Sequence, residues 1–178
     1  MPPPYTGRCL CGDTQYRLTE EPLTVYACHC TDCQKRSGSA FGLSMWVQRS
    51  AIEVTKGEAA LHVSTSADGR IRHGRICAHC GVRLWSELPK HPDLAVMRPG
   101  TLDDTSWVRP IAHLWTRSAQ PWFAFPEGVA RYPQQPADMR ELFELWRNRA
   151  SLSFNVAGLT SSSRLSGPAP GENASDCS

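Results

Sequence analysis

The sequence predicts a mainly β domain over residues 1–150, with one C-terminal helix and a disordered tail at 151–178. Three observations support this fold class. Short stretches alternate apolar and polar residues at the period of a half-buried strand. Glycine or proline interrupts the chain every 8 to 15 residues, which is typical of antiparallel strands joined by turns. After residue 150 the composition changes to serine, glycine and proline, with little to bury.

The alternating stretches define the predicted strands, which are TQYRLT, AFGLSMWVQ, AIEVT, ALHVST, RIRHGRIC and DLAVM. The first stretch places Tyr16 and Leu18 on one face, since successive side chains of a strand point to opposite sides. The second stretch places four apolar residues on one face, namely Phe41, Leu43, Met45 and Val47. The rhythm favours antiparallel strands over alternating βα units.

The stretch PADMRELFELWRNRA predicts the helix. Acidic residues come early and arginines late, an order that suits the helix dipole. Met139, Leu142, Phe143 and Trp146 recur at the spacing of one helical stripe. We expect this stripe to pack on the domain or on a partner subunit, and homo-oligomerisation is left open.

The charge balance argues against two classes of partner. With 19 basic and 17 acidic side chains, the net charge is +2. This near balance does not indicate nucleic acid or an anionic membrane surface. We find no run of about 18 apolar residues, the length of a membrane-spanning helix. The start of the chain lacks the basic and apolar regions of a secretory signal, so we predict a cytoplasmic protein.

Seven of the eight cysteines fall into three groups. The groups are Cys9 and Cys11; Cys28, Cys30 and Cys33; and Cys77 and Cys80. Cys177 lies in the polar tail and belongs to none of them. In a reducing compartment, clustered cysteines indicate a metal site or redox chemistry more often than disulfides. The sequence therefore predicts zinc.

The first and third groups together supply the four ligands of a structural zinc site. Cys77 and Cys80 form a Cys-x-x-Cys pair followed by Gly81, which lets the turn close. Cys9 and Cys11 would point the same way on an extended strand. Four thiolates complete a tetrahedral shell and leave no open position.

The middle group, Cys28, Cys30 and Cys33, would then supply only three ligands. A nearby histidine, water or a substrate would provide the fourth, and His29 is the best protein candidate. An open position distinguishes catalytic from structural zinc, so we predict these three cysteines as the catalytic group. Other partitions of the seven sulfurs, such as the first two residues of this group with the Cys-x-x-Cys pair, stay open.

Cations near the middle group predict how a substrate would bind. Coordination to zinc would deprotonate a substrate thiol, and the resulting thiolate is a nucleophile. A three-thiolate zinc already carries a net negative charge, so a fourth thiolate needs cationic support. Lys35 and Arg36 follow the group directly and are the predicted substrate-binding residues, with Arg8 a further nearby cation.

Five stretches occur in the order found in one known family. They are GRCLCGDTQY, CHCTDCQKRSGSAF, CAHCGVRLW, MRPGTLDD and IAHLWTRSAQPWF, and the likeness spans residues 6–133. The chain resembles the glutathione-dependent formaldehyde-activating (GFA) family, also called centromere-protein-V-like. One departure is that the family commonly has paired arginines after the third active-site cysteine, where this chain has Gln34, Lys35 and Arg36.

The resemblance implies an Mss4-like fold, a β-tent of small antiparallel sheets built around zinc. It implies a structural zinc on Cys9, Cys11, Cys77 and Cys80, and a second, more labile zinc on Cys28, Cys30 and Cys33. The implied activity is that of a carbon–sulfur lyase, joining glutathione and formaldehyde into S-hydroxymethylglutathione. Two alternatives stay open, namely a related lyase with a different substrate, and a zinc-stabilised binding module without catalysis.

Overall fold

The computed structural model of the chain describes residues 2–66 and 69–151. The strands in these ranges are β1 Tyr5–Arg8, β2 Gln15–Leu18, β3 Thr24–Cys28, β4 Gly42–Gln48, β5 Ile52–Lys56, β6 Ala59–Thr65, β7 Ile71–Cys77, β8 Arg83–Glu87, β9 Leu94–Met97, β10 Ala112–Leu114 and β11 Ala130–Tyr132. The helices are α1 Thr31–Ser37 and α2 Arg140–Arg147. The mainly β class is thus confirmed. The predicted tail, except for its first residue, and Cys177 lie outside the described residues.

The strands form two sheets of unequal size. One has three antiparallel strands in the order β1-β2-β5, and the other has eight in the order β11-β10-β3-β4-β9-β8-β7-β6. Pairing is antiparallel except that β10 lies parallel to both β3 and β11. Parallel pairing requires a long crossover connection, and a long stretch of chain separates β3 from β10. The sequence pattern predicted antiparallel turns and did not reveal these two parallel contacts.

Strand β3 lies inside the larger sheet, between β4 and β10. All five of its residues are buried, so its sequence TVYAC lacks apolar–polar alternation. The period-two pattern therefore missed this strand, although it found its neighbour β4, where Met45 and Val47 are fully buried. The last residue of β3 is Cys28, which brings the middle cysteine group to an edge of the core.

Helix α2 covers one side of β3 and confirms the predicted C-terminal helix. Leu142 and Trp146 are buried, as the predicted apolar stripe requires. The helix begins at Arg140, later than the sequence stretch suggested, and the Asp138 carboxylate accepts a hydrogen bond from the Arg140 N–H at 2.9 Å. Within the described ranges, neither helix has the length and apolar character needed to cross a bilayer.

Helix α1 was not predicted, and it carries part of the middle cysteine group. It has seven residues and none of them is buried, so it leaves no apolar stripe in the sequence. Gly38, in the left-handed conformation at φ 61°, ends it. Ser37 and Gly38 thus form the end of this helix.

Candidate metal centres

The first and third cysteine groups converge on one point, as predicted. The four sulfurs of Cys9, Cys11, Cys77 and Cys80 all lie within 4.8 Å of one another. The Cys9 and Cys11 sulfurs are 3.4 Å apart, and those of Cys11 and Cys77 are 3.7 Å apart. Four thiols in this arrangement can hold a metal ion, and they match the ligand set of tetrahedral zinc.

Two tight turns, rather than an extended strand, bring these four sulfurs together. Cys9 and Cys11 follow the end of β1, in a turn where the Gly12 N–H donates to the Cys9 carbonyl at 3.1 Å. The expected strand geometry for Cys9 and Cys11 is therefore wrong, because the chain reverses directly after Arg8. The predicted role of Gly81 is confirmed, since its N–H donates to the Cys77 carbonyl at 2.9 Å and its φ is 72°.

The middle group forms a second, separate cluster. The sulfurs of Cys28, Cys30 and Cys33 lie within 4.8 Å of one another. Cys28 ends β3, Cys30 caps the N-terminus of α1, and Cys33 lies in the first turn of α1. The Cys33 N–H donates to the Cys30 sulfur at 3.4 Å. Hydrogen bonds from the Cys28 and Cys33 thiols, followed by backbone N–H groups, lower the pKa of Cys30 to about 2.

No fourth protein ligand joins this cluster from residues 2–66 and 69–151, where no other His, Cys, Asp or Glu ligand atom lies within 4.8 Å of all three sulfurs. His29 points to the opposite side of the chain, because it neighbours Cys28 in extended backbone. Its Nε2 lies 2.9 Å from Nδ1 of His113, so His29 is not the fourth ligand considered from the sequence. The three sulfurs therefore form an incomplete shell for a tetrahedral metal.

The backbone between the cysteines is held in place by Gln34. Its Nε2 donates to the His29 carbonyl at 2.7 Å and to the Ser118 carbonyl at 2.8 Å. The Ser118 hydroxyl also donates to the His29 carbonyl, at 3.0 Å. These bonds connect the cysteine loop to the segment after β10, so Gln34 positions the sulfurs and does not reach into the site.

The three cysteines line a cavity of about 620 Å³ that also contains Tyr26 and Arg98. The Tyr26 Oη accepts a hydrogen bond from Trp46 Nε1 at 3.0 Å. Burial, the largest cause, raises the pKa of Tyr26, so its hydroxyl keeps its proton at neutral pH. The three sulfurs thus border a cavity large enough for a small substrate, beside a phenol that can donate a hydrogen bond.

Five arginines also line this cavity, namely Arg36, Arg70, Arg72, Arg98 and Arg117, and one of them, Arg36, was predicted. Arg36 is half-buried and its Nη2 donates to the Ser86 hydroxyl at 3.4 Å. Arg98 Nη1 donates to the Leu43 carbonyl at 3.0 Å. A Cβ atom on Gly42 would come within 3.2 Å of Arg98 Nη1 and 3.4 Å of Cys33 Cβ, so the absence of a side chain there lets Arg98 approach the cluster.

The other predicted cations lie elsewhere. Lys35 is exposed and borders a separate surface depression with Gln120 and Trp122. Arg8 forms a salt bridge with Asp103 at 2.9 Å. Of the three cations nearest in sequence, only Arg36 lines the cysteine cavity.

Sequence reasoning missed two residues of this cavity. Arg98 lies in the MRPGTLDD stretch, but nothing in its local pattern indicates that it contacts a cysteine site. Tyr26 belongs to the fully buried strand β3, where it looks like an ordinary core aromatic. Only the tertiary fold brings these side chains to the sulfurs.

The fold and the two clusters define a mainly β protein with two groups of cysteines that could each hold a metal ion. The chain belongs to the glutathione-dependent formaldehyde-activating enzyme family, whose sequence profile matches residues 4–118. A Penicillium rubens protein is 32% identical over 108 residues, covering 58% of this chain and 56% of the relative. A Colletotrichum graminicola protein is 30% identical over 110 residues, covering 59% of this chain and 56% of the relative. Both relatives are provisionally named as enzymes of this family.

The chain thus spans little more than half the length of these curated relatives. A crystal structure of a Rhodobacter sphaeroides protein is also similar, with a TM-score of 0.44 and 16% sequence identity. The similarity covers 71% of this chain and 98% of that one.

The buried histidine pair predicts an acid sensitivity. Burial, followed by the charge of His29, lowers the pKa of His113 to about 4 from its usual 6.5. The folded state therefore favours neutral His113, and its stabilising effect is complete above pH 6.5 and lost as the pH falls towards 4. This group contributes at most about 3 kcal/mol of that loss.

We expect His113→Gln to flatten the decline in free energy of unfolding between pH 6.5 and 4, measured by urea titration at several pH values. The glutamine keeps a hydrogen-bonding group but does not titrate in this range. His91→Gln, at an exposed position, is the control and should keep the wild-type slope. Equal slopes for wild type and His113→Gln would contradict the assignment.

Proposed function

We propose that this chain is a zinc-dependent carbon–sulfur lyase that joins the thiol of glutathione to formaldehyde, giving S-hydroxymethylglutathione. One observation carries the proposal, namely that three cysteine sulfurs converge at the wall of a cavity without a fourth ligand from the described residues. Family membership and the names of the curated relatives support the choice of substrates.

The donor sets fit zinc at both clusters. Cys9, Cys11, Cys77 and Cys80 would hold a structural ion, because four thiolates complete its shell. Cys28, Cys30 and Cys33 would hold a catalytic ion, because the fourth ligand must come from the cavity. When bound there, zinc supplies a positive charge that lowers the pKa of a substrate thiol and keeps it as a thiolate.

Arg98 and Arg36 would stabilise that thiolate. Three cysteine thiolates and one divalent cation carry a net charge of −1, and a fourth thiolate adds another negative charge. Arg98 lies beside Cys33, and Arg36 lines the same cavity. Positive charge in a partly buried site attracts an anion more strongly than it does in water. The two guanidinium groups thus favour the anionic form of the substrate.

Tyr26 would supply the proton that the reaction needs. A sulfur lone pair forms the C–S bond with the formaldehyde carbon, and the C=O π electrons move onto oxygen. That oxygen takes a proton from Tyr26 Oη, which then regains the proton that the substrate thiol released. Trp46 donates to the Tyr26 oxygen, so the hydroxyl proton is available to another acceptor.

A lyase for a different thiol adduct is the second candidate. It is favoured by the departure after the cysteine group, where Gln34 is engaged by backbone carbonyls and Lys35 lies outside the cavity. The same three cysteines would then hold the metal, and the cavity would bind a different thiol or electrophile. The two candidates share the metal centre and differ in the electrophile or thiol accepted.

The metal content tests the two centres. We expect wild-type protein to bind two zinc ions per chain, and the combined variant Cys28→Ser, Cys30→Ser and Cys33→Ser to bind one, measured by inductively coupled plasma mass spectrometry. Thiolates hold zinc far better than hydroxyls do. Two ions retained by the triple variant would contradict the second centre.

The activity is tested by NMR exchange between formaldehyde and glutathione, which the protein should accelerate. We expect Tyr26→Phe to lower the enzymatic rate by about 10²- to 10⁴-fold, because the variant loses its proton donor. Tyr132→Phe, outside the cavity, is the matched control and should keep the wild-type rate. No acceleration with glutathione, combined with turnover of other thiol adducts, would favour the second candidate.

A further inference from the structure

A second cavity, of about 700 Å³, lies next to the cysteine cavity. Arg36 and Arg98 line both cavities, and Arg83 lines only the second one. Three serines, Ser37, Ser39 and Ser64, add hydroxyl groups to its wall. The second cavity thus combines three guanidinium groups with hydrogen-bonding side chains, and the proposed reaction does not account for it.

Arg83 is the least explained of these cations. It opens strand β8 and is half-buried, yet it forms no hydrogen bond or salt bridge with any residue in 2–66 or 69–151. Its Nε is fully shielded from water and has no partner there. A Cβ atom on Gly74 would lie 3.4 Å from Arg83 Cδ, so the glycine leaves room for this side chain. A half-buried guanidinium that has no protein partner can donate its remaining hydrogen bonds to an anion in the cavity.

The same shortage of acceptors extends to its neighbours. The Nε atoms of Arg98 and Arg72 are also buried without a partner among the described residues. Asp32 is engaged with Arg72 at 3.0 Å and with Arg70 at 3.4 Å. Burial, the largest cause, followed by the charges of Arg98 and Arg36, lowers the pKa of Arg83 to about 9.

The cysteine cluster does not use all of this positive charge. With the substrate thiolate bound, four thiolates around one divalent cation leave a net charge of −2, which two guanidinium groups balance. Arg98 and Arg36 are placed to do so, since Arg98 and Cys33 flank Gly42 and Arg36 lines the same cavity. Arg83 lines the neighbouring cavity and not the cysteine cavity, so its charge faces a different occupant.

We propose that Arg83, beside Arg98 and Arg36, forms a carboxylate-binding subsite in the second cavity, and that the carboxylate belongs to the thiol substrate whose sulfur enters the cysteine cavity. A carboxylate suits this cation, because the two Nη groups of one guanidinium donate to its two oxygens in parallel. The assignment rests on the proposed function and narrows the substrate class to thiols that carry a carboxylate on a neighbouring arm.

The test is calorimetric binding of S-methylglutathione, which has both carboxylates but no free thiol, to the zinc-loaded protein. Its dimethyl ester lacks the carboxylate charges. We expect wild type to bind the acid about ten- to hundredfold more tightly than the ester. We expect Arg83→Gln to weaken binding of the acid by a similar factor and to leave binding of the ester nearly unchanged. Arg147→Gln, an exposed position with the same loss of charge, should match wild type.

The comparison of acid and ester uses wild-type protein, so it tests the carboxylate subsite even if Arg83→Gln fails to fold. Arg83→Lys keeps the charge but loses the paired N–H geometry, and we expect it to bind the acid more weakly than wild type. Equal wild-type affinities for acid and ester, or no binding of either, would overturn the subsite. The subsite would also be overturned if Arg83→Gln bound the acid normally but held less zinc. Arg83 would then be a counter-ion of the metal centre.

The formaldehyde exchange rate of the wild type separates this subsite from the proposed function. If the protein accelerates exchange but Arg83→Gln binds the acid as tightly as wild type, the subsite is refuted and the proposed reaction of glutathione with formaldehyde stands. If Arg83→Gln weakens binding of the acid but wild type does not accelerate exchange, the subsite stands and that reaction is refuted.

Discussion

The site depends on one backbone junction, where the buried strand β3 ends and helix α1 begins. Cys28 is held by the pairing of β3 with β4 on one side and β10 on the other. Hydrogen bonds from Gln34 and Ser118 then fix the carbonyl of His29. Extended backbone at this point sends consecutive side chains to opposite sides, so sulfur faces the cavity and imidazole faces the aromatic core. Helix α1 has no buried residue of its own, so its position follows from this junction.

The histidine on the other side of this junction is also held by specific contacts. His29 and His113 are buried and in contact, and rings of Phe41, Phe123 and Phe125 surround them. Such a setting favours neutral imidazoles and excludes water. Because the pair joins β3 to β10, it fixes the parallel contact from which the Ser118 segment continues. The aromatic core thus supports the geometry of the cysteine loop without contacting the sulfurs.

The two sulfur clusters differ mainly in their electrostatic surroundings. In the four-cysteine cluster, burial is the largest influence on the pKa of Cys9, followed by the Thr14 N–H, and the Thr14 hydroxyl and backbone N–H groups lower the pKa of Cys77. Around the three-cysteine cluster, Arg98 and the neighbouring arginines add positive charge. A closed set of four sulfur ligands suits a structural metal. An incomplete set in positive surroundings suits a site that receives an anion.

The sequence predicted what depends on local pattern. Tyr16 and Leu18 are buried on one face of β2, and the four-plus-three grouping of sulfurs is present in the fold. It did not predict β3, because a strand buried on both faces shows no alternation. Nor did it predict Arg83 and Arg98, which come from β8 and from the residue after β9 and meet only in the folded sheet. A cluster of charges that comes from different strands cannot be recognised from residues that are close together in the sequence.

The central claim is that the cavity-side cluster offers three sulfurs and takes its fourth ligand from a substrate thiol. Cadmium-113 NMR of protein loaded with cadmium in place of zinc tests it directly, because the chemical shift reports the number of sulfur ligands. The account predicts two resonances, of which only the one with fewer sulfur ligands moves towards the four-sulfur position when glutathione is added. Two four-sulfur resonances without glutathione, or a second resonance unmoved by it, would contradict the account.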